Sequence, residues 1–132
     1  MKNSDLLIKK LESLDASVRD AAAIELMDLG EVLAVAPLIQ AIQRPENVNN
    51  RGTLVYALSA FDCRDYLSLL VEWVLTGNYE VATGAFSIIE ESMLADHHIV
   101  EIQELLRVVK CSELMVEHNK EGYELLVGLV KS

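Results

Sequence analysis

The chain has 132 residues, of which 52% are apolar, 5% aromatic and 24% charged, with two Cys and two Pro. That length fits one domain with its own core, and the composition excludes a disordered tail, a collagen-like chain and a disulfide scaffold. Eleven Lys and Arg against 21 Asp and Glu leave a net charge of −10, which repels nucleic-acid phosphates and anionic lipid and attracts basic protein surfaces.

Leu7, Leu11 and Leu14 recur at helical spacing, with Ser4 placed to cap that first helix over about 4–14. Ser17 is placed to cap a second helix whose stripe is Val18, Ala22, Leu26 and Leu29, and Gly30 suits its left-handed end. A third helix runs to Gln43 and starts near Ala34–Pro37, because Pro is tolerated only in a first turn. A fourth spans about 49–61, with Leu54, Leu58 and Phe61 facing inward. Asp62 then caps a fifth, whose stripe is Leu69, Leu70, Trp73 and Val74. Gly77-Asn78 ends it. A sixth helix covers about 79–93, a seventh about 96–109, and 112–131 is helical again, with a break at 119–122 left open. No window alternates with the two-residue period of a strand.

A shift of 32 residues superposes the chain on itself. Arg19 falls on Arg51 and then Thr83, Leu38 on Leu70 and Ile102, and Ile42 on Val74 and Leu106. Ile24 falls on Tyr56 and Ile88, and Leu29 on Phe61 and Met93. The break pattern repeats as 17–43, 49–75 and 79–109, three hairpins that must stack to hide their apolar stripes.

The run Val18-Arg19-Asp20-Ala21-Ala22-Ala23-Ile24-Glu25-Leu26-Met27-Asp28-Leu29-Gly30, followed by Ala36-Pro37-Leu38-Ile39-Gln40-Ala41-Ile42, resembles HEAT-like repeats of the phycobilisome-lyase type. Their first helix reads Val-Arg-x-x-Ala-Ala-x-x-Leu-x-x-Leu-Gly. The second unit keeps Arg51, Ala57, Leu58 and Ala60 but has Phe61-Asp62 for Leu-Gly, and the third departs further. The resemblance implies an all-α chain, a short α-α superhelix or solenoid of about three to four HEAT-like hairpins in one domain over 1–132. Polar capping helices at about 4–14 and 112–131 would close a whole solenoid. It also implies that Arg19 pairs with a nearby acid, Asp15 or Asp20, in a structural role that Arg51 shares. Gly52 and Gly84 share a repeat position inside helices, where they would permit close packing.

In such solenoids the second helices line the concave surface. The polar positions there are Gln40, Gln43, Glu72, Glu101, Glu104 and Arg107, and Tyr66 and Tyr79 near helix starts are further contact candidates. Residues 61–95 hold one basic and six acidic residues and 96–132 hold four and seven, so most of the negative excess lies in the second half. The expected function is therefore non-enzymatic: a scaffold or adaptor binding a protein with a basic surface through an acidic concave face. An immunity or antitoxin-type inhibitor of a basic toxin is one form of it. The alternative is a lyase-like enzyme or accessory subunit, implied by the resemblance alone. No cofactor or metal is expected. His97, His98 and Glu101 lie within one helical turn but form a poor ligand set, and Cys63 is a reactive-thiol candidate only if exposed near a helix start. Cys63 and Cys111 without a CxxC pair, no apolar leader and no run of ~20 apolar residues point to a cytoplasmic protein.

Overall fold

The computed structural model describes residues 3–110 and 120–131, and there it contains α-helices, 3-10 turns and no strand. The helices are α1 (Asn3–Lys10), α2 (Ala16–Leu29), α3 (Val35–Gln43), α4 (Gly52–Leu58), α5 (Leu67–Thr76), α6 (Tyr79–Ser92), α7 (Asp96–Lys110) and α8 (Lys120–Val130). Two compact units are present, Met1–Cys63 and Arg64–Ser132, with the boundary between α4 and α5.

In the first unit, α2 packs on both α1 and α4, and α3 packs on α4. The small side chains of Ala22 and Ala23 are buried on α2, and Leu26, Leu38, Ile42, Leu54 and Leu58 complete a core in which each is essentially inaccessible. Burying one such aliphatic side chain contributes about 1.5–3 kcal/mol. The ends of α2 are fixed by specific devices. Asp15, not Ser17, is the N-cap: its carboxylate accepts from the Ser17 backbone N–H at 2.9 Å and from the Ser17 hydroxyl at 2.7 Å. Those bonds hold the Asp15 carboxyl below its usual pKa, the hydroxyl bond contributing most. At the other end Gly30 takes φ 64°, and the Glu31 N–H bonds the Leu26 carbonyl, which closes the helix with a Schellman-type turn. Pro37 is the third residue of α3, where its missing N–H breaks no helical bond.

Several expected details change. Helix α1 begins at Asn3, so Ser4 lies inside its first turn and does not cap it. The helix stops at Lys10, so the spacing that linked Leu14 to Leu7 and Leu11 no longer applies, and Leu14 is 76% exposed. Val18 and Leu29 are exposed as well, leaving Ala22, Ala23 and Leu26 as the buried face of α2. Helix α4 ends at Leu58, so Phe61 is half-buried outside it. Gly52 opens α4 and does not lie within it, whereas Gly84 is inside α6. A 3-10 turn at Arg64–Tyr66 precedes α5, so Tyr66 and not Asp62 occupies the N-cap position.

In the second unit α5 contacts α6, α7 and α8, and α8 also contacts α6 and α7. Trp73 and Val74 of α5, Ile88 and Ile89 of α6, Ile102 of α7 and Leu126 of α8 are buried. Asn78 caps α6 by accepting from the Val81 N–H at 3.0 Å. Gly122, in the first turn of α8, is pressed on the α5 backbone: a Cβ there would lie 2.3 Å from the Val74 carbonyl oxygen. The helix therefore runs through Gly122 unbroken from Lys120. Lys2, Cys111, Glu113, Glu117 and His118, and with them most of the expected closing cap before Lys120, lie outside the described residues.

Candidate functional site

The most specific polar construction lies in the first unit, around Arg19, which is 1% exposed. Its Nη1 donates to Asn47 Oδ1 at 2.6 Å and its Nη2 to the Asn50 carbonyl at 2.7 Å. Asn47 is itself buried, and its Nδ2 donates to the Ala41 carbonyl near the end of α3 at 2.8 Å. Asp20 Oδ1 stands 3.6 Å from Arg19 Nη2. Of the two acids expected to pair with Arg19, Asp20 is thus the partner, while Asp15 is engaged in capping. Burial pushes the Asp20 carboxyl above its ordinary pKa, and the Arg19 charge offsets that only in part. The guanidinium ties α2 to the 44–51 connection: a buried positive charge surrounded by carbonyl oxygens is a fastening. Arg51 sits at the N-cap position of α4, whereas Arg19 is the fourth residue of α2, so the two repeat-related arginines occupy different places on their helices.

The expected partner-contacting residues fall into separate groups. Gln40 and Gln43 are exposed on α3 in the first unit. Gln40 lines an open cleft of about 310 Å³ between α1 and α3, together with Asp5, Lys9, Glu12 and Arg44. There Arg44 Nη1 donates to the Glu12 carbonyl at 3.2 Å, and its Nη2 lies 3.7 Å from the Glu12 carboxylate. The surroundings of Gln40 are thus mixed in charge. In the second unit Glu72 is exposed on α5, and Glu101, Glu104 and Arg107 are exposed on α7, a helix that packs against α5. Arg107 is paired with Glu104 at 3.1 Å. Tyr79, the first residue of α6, is 78% exposed, while Tyr66 is half-buried before α5.

Cys63 is fully buried, its Sγ within 3.4 Å of the Leu58 carbonyl, so the exposed thiol considered from its charged neighbours is not formed. Burial, with the Asp62 charge beside it, pushes the thiol pKa up to about 11. His98 is buried and stacks at 4.0 Å on the exposed His97. Among the described residues no three His, Cys, Asp or Glu side chains are gathered as a metal site, and no helix is long and apolar enough to cross a membrane.

Two features escaped the sequence reading. Arg44-Pro45-Glu46-Asn47 reads as a helix breaker and Asn50 as the start of the fourth helix, yet Asn47 Oδ1 and the Asn50 carbonyl are the acceptors for Arg19. Leu29, expected on the inward stripe of the second helix, instead projects into solvent with Val32 and Leu33 at the α2–α3 corner. No protein-family model, no curated protein and no solved structure matches the chain.

Proposed function

We propose that the protein is a non-enzymatic scaffold, a short HEAT-like solenoid of three to four hairpins, that captures a protein with a basic surface. The observation that carries this reading is the charge of the second unit. Residues 64–132 hold twelve Asp and Glu against five Lys and Arg. Glu72, Glu101 and Glu104 are exposed on two helices that pack on one another, and exposed carboxylates suit Lys- and Arg-rich partners. A neutraliser of a basic toxin is one form of such a scaffold.

The ladder part of the reading draws support from helix neighbours within each unit. Helix α2 packs on α4, both first helices of their repeats, and α5 packs on α7, both second helices. The 3-10 turns Val32–Ala34 and Arg64–Tyr66 lie 32 residues apart, each leading directly into a second helix. Repeat stacking presents a rigid surface that loses little entropy on binding.

The experiment is a pull-down with immobilised wild-type protein and with the Glu72→Lys/Glu101→Lys/Glu104→Lys variant, read by mass spectrometry. A partner held at low salt, released at about 0.5 M salt and missed by the variant supports the proposal. A partner whose affinity is the same at both salt concentrations, or that the variant holds equally well, removes it.

A further inference from the structure

The α2–α3 corner carries three aliphatic side chains in solvent. Leu29, Val32 and Leu33 are 59%, 71% and 74% exposed. They are fixed in place. Leu29 ends α2, Gly30 turns the chain at φ 64°, and the Glu31 carboxylate accepts from the Leu33 N–H at 3.2 Å, which shapes the 3-10 turn that displays Val32 and Leu33. The charges that flank it along the chain have one sign. Glu25 and Asp28 are exposed on the last turns of α2 and Glu31 is half-buried in the corner, and no Lys or Arg occurs between Arg19 and Arg44.

The fold does not require aliphatic residues at this corner, and the chain contains its own control. Thirty-two residues on, the same kind of 3-10 turn leads into α5, with Arg64 and Asp65 at the positions of Val32 and Leu33. Both are exposed there. Only the third residue of each turn has an inward role: Ala34 is buried and Tyr66 half-buried. Two solvent positions that accept charge in one repeat are held aliphatic in the other.

We propose that Leu29, Val32 and Leu33 form a docking knuckle for a protein partner that offers an apolar helix face flanked by Lys or Arg. The acidic rim selects the occupant. Two copies of this chain meeting knuckle to knuckle would bring Glu25, Asp28 and Glu31 of each against the other, and an anionic lipid surface meets the same repulsion. A cationic border on an apolar helix face complements both parts of the surface. Leu29, Val32 and Leu33 belong to the 1–63 unit and Glu72, Glu101 and Glu104 to the 64–132 unit; the two sets share no residue, so variants of one test one proposal only.

The probes are two fluorescein-labelled helical peptides of equal Lys content, one with a Leu face and one with Ser in place of every Leu. Anisotropy titrations at about 0.15 M salt should show the Leu peptide binding the wild type at least about tenfold tighter than the Ser peptide, a preference that even one further buried aliphatic side chain supports. In Val32→Arg/Leu33→Asp, which installs the residues of the second corner, that preference should vanish. The uncharged variant Val32→Thr/Leu33→Ser should lose it as well, which separates lost apolar contact from altered charge and serves if the first variant folds poorly. The Glu72→Lys/Glu101→Lys/Glu104→Lys variant should keep it. A wild type that does not discriminate between the peptides, or a preference that survives both corner variants, overturns the proposal. So does a concentration-dependent dimer in sedimentation that the corner variants abolish, because the knuckle would then be covered by a second copy.

Discussion

Replacing Asn47 with Ala tests the Arg19 fastening most directly. The Asn47 side chain accepts from the buried guanidinium at 2.6 Å and donates to the Ala41 carbonyl at 2.8 Å. Removing it takes away a hydrogen bond to a charged group, about 1.5–3 kcal/mol, and strands part of a buried charge, a mechanism that costs about 3–5 kcal/mol when one partner of a buried pair is lost. The two figures overlap in what they count, so the expected loss is about 3–4 kcal/mol. That is a large fraction of the ~5–15 kcal/mol that stabilises a domain. Urea unfolding followed by far-UV circular dichroism is the assay. Trp73 fluorescence is the wrong probe, because that residue belongs to the 64–132 unit. Arg19→Met removes the charge and keeps most of the volume, so Asn47→Ala in that background should cost about 1 kcal/mol, giving a coupling of about 2 kcal/mol or more between the two positions. An Asn47→Ala loss below about 1 kcal/mol, or additive effects in the double variant, would refute the fastening.

Gly122→Ala should destabilise by about 2–4 kcal/mol, because its Cβ would fall 2.3 Å from the Val74 carbonyl and push α8 off α5. Gly128→Ala on the same helix meets nothing within 4 Å and should stabilise by about 0.5–1 kcal/mol; thermal melts of the two variants check both signs. In a Cys111→Ser background, Cys63 should react with a thiol reagent at pH 8 only at the rate of unfolding, and fast labelling of the folded protein would contradict its burial. The folded Cys63 pKa of about 11 exceeds the 9.0 of a free thiol, so its contribution, about 3 kcal/mol, is complete below pH 9 and is lost as pH rises through 11. Cys63→Ala should flatten that alkaline loss in pH-dependent urea titrations.

Helical character was legible because period and punctuation agree: Leu38, Ile42, Leu70, Val74, Ile102 and Leu106 repeat every 32 residues and all six are buried. The caps were less so. Ser17 and Asp15 are both competent N-caps two residues apart, and only the start of α2 at Ala16 decides between them. Leu14 and Leu29 show the limit of stripe reading: each continues an apolar spacing beyond or at the edge of its helix, where the chain no longer faces the core. The Arg19 partners were illegible for another reason. They lie 28 and 31 residues away, and Asn47 and Asn50 in a turn carry no local sign of what they accept. The exposure of Glu72, Glu101 and Glu104 follows from their place opposite the apolar stripe, which the periodicity does give.

The first helices explain why self-similarity fades toward the third repeat. Burial of Leu54, Ala57 and Leu58 on α4 corresponds to Ala85, Ile88 and Ile89 on α6, a spacing of 31, whereas Leu70 and Val74 on α5 correspond to Ile102 and Leu106 on α7 at 32. A one-residue slip is enough to turn a helix by about 100°, so an alignment held at 32 sets Leu58 against the exposed Glu90 and Tyr56 against the buried Ile88. The connections before the two helices differ as well. Residues 44–51 join α3 to α4 and carry the asparagines that bind Arg19, while Gly77 and Asn78 alone join α5 to α6. The positions 28 and 31 residues beyond Arg51, 79 and 82, lie inside α6, so the asparagine-bearing connection that fastens Arg19 has no counterpart there.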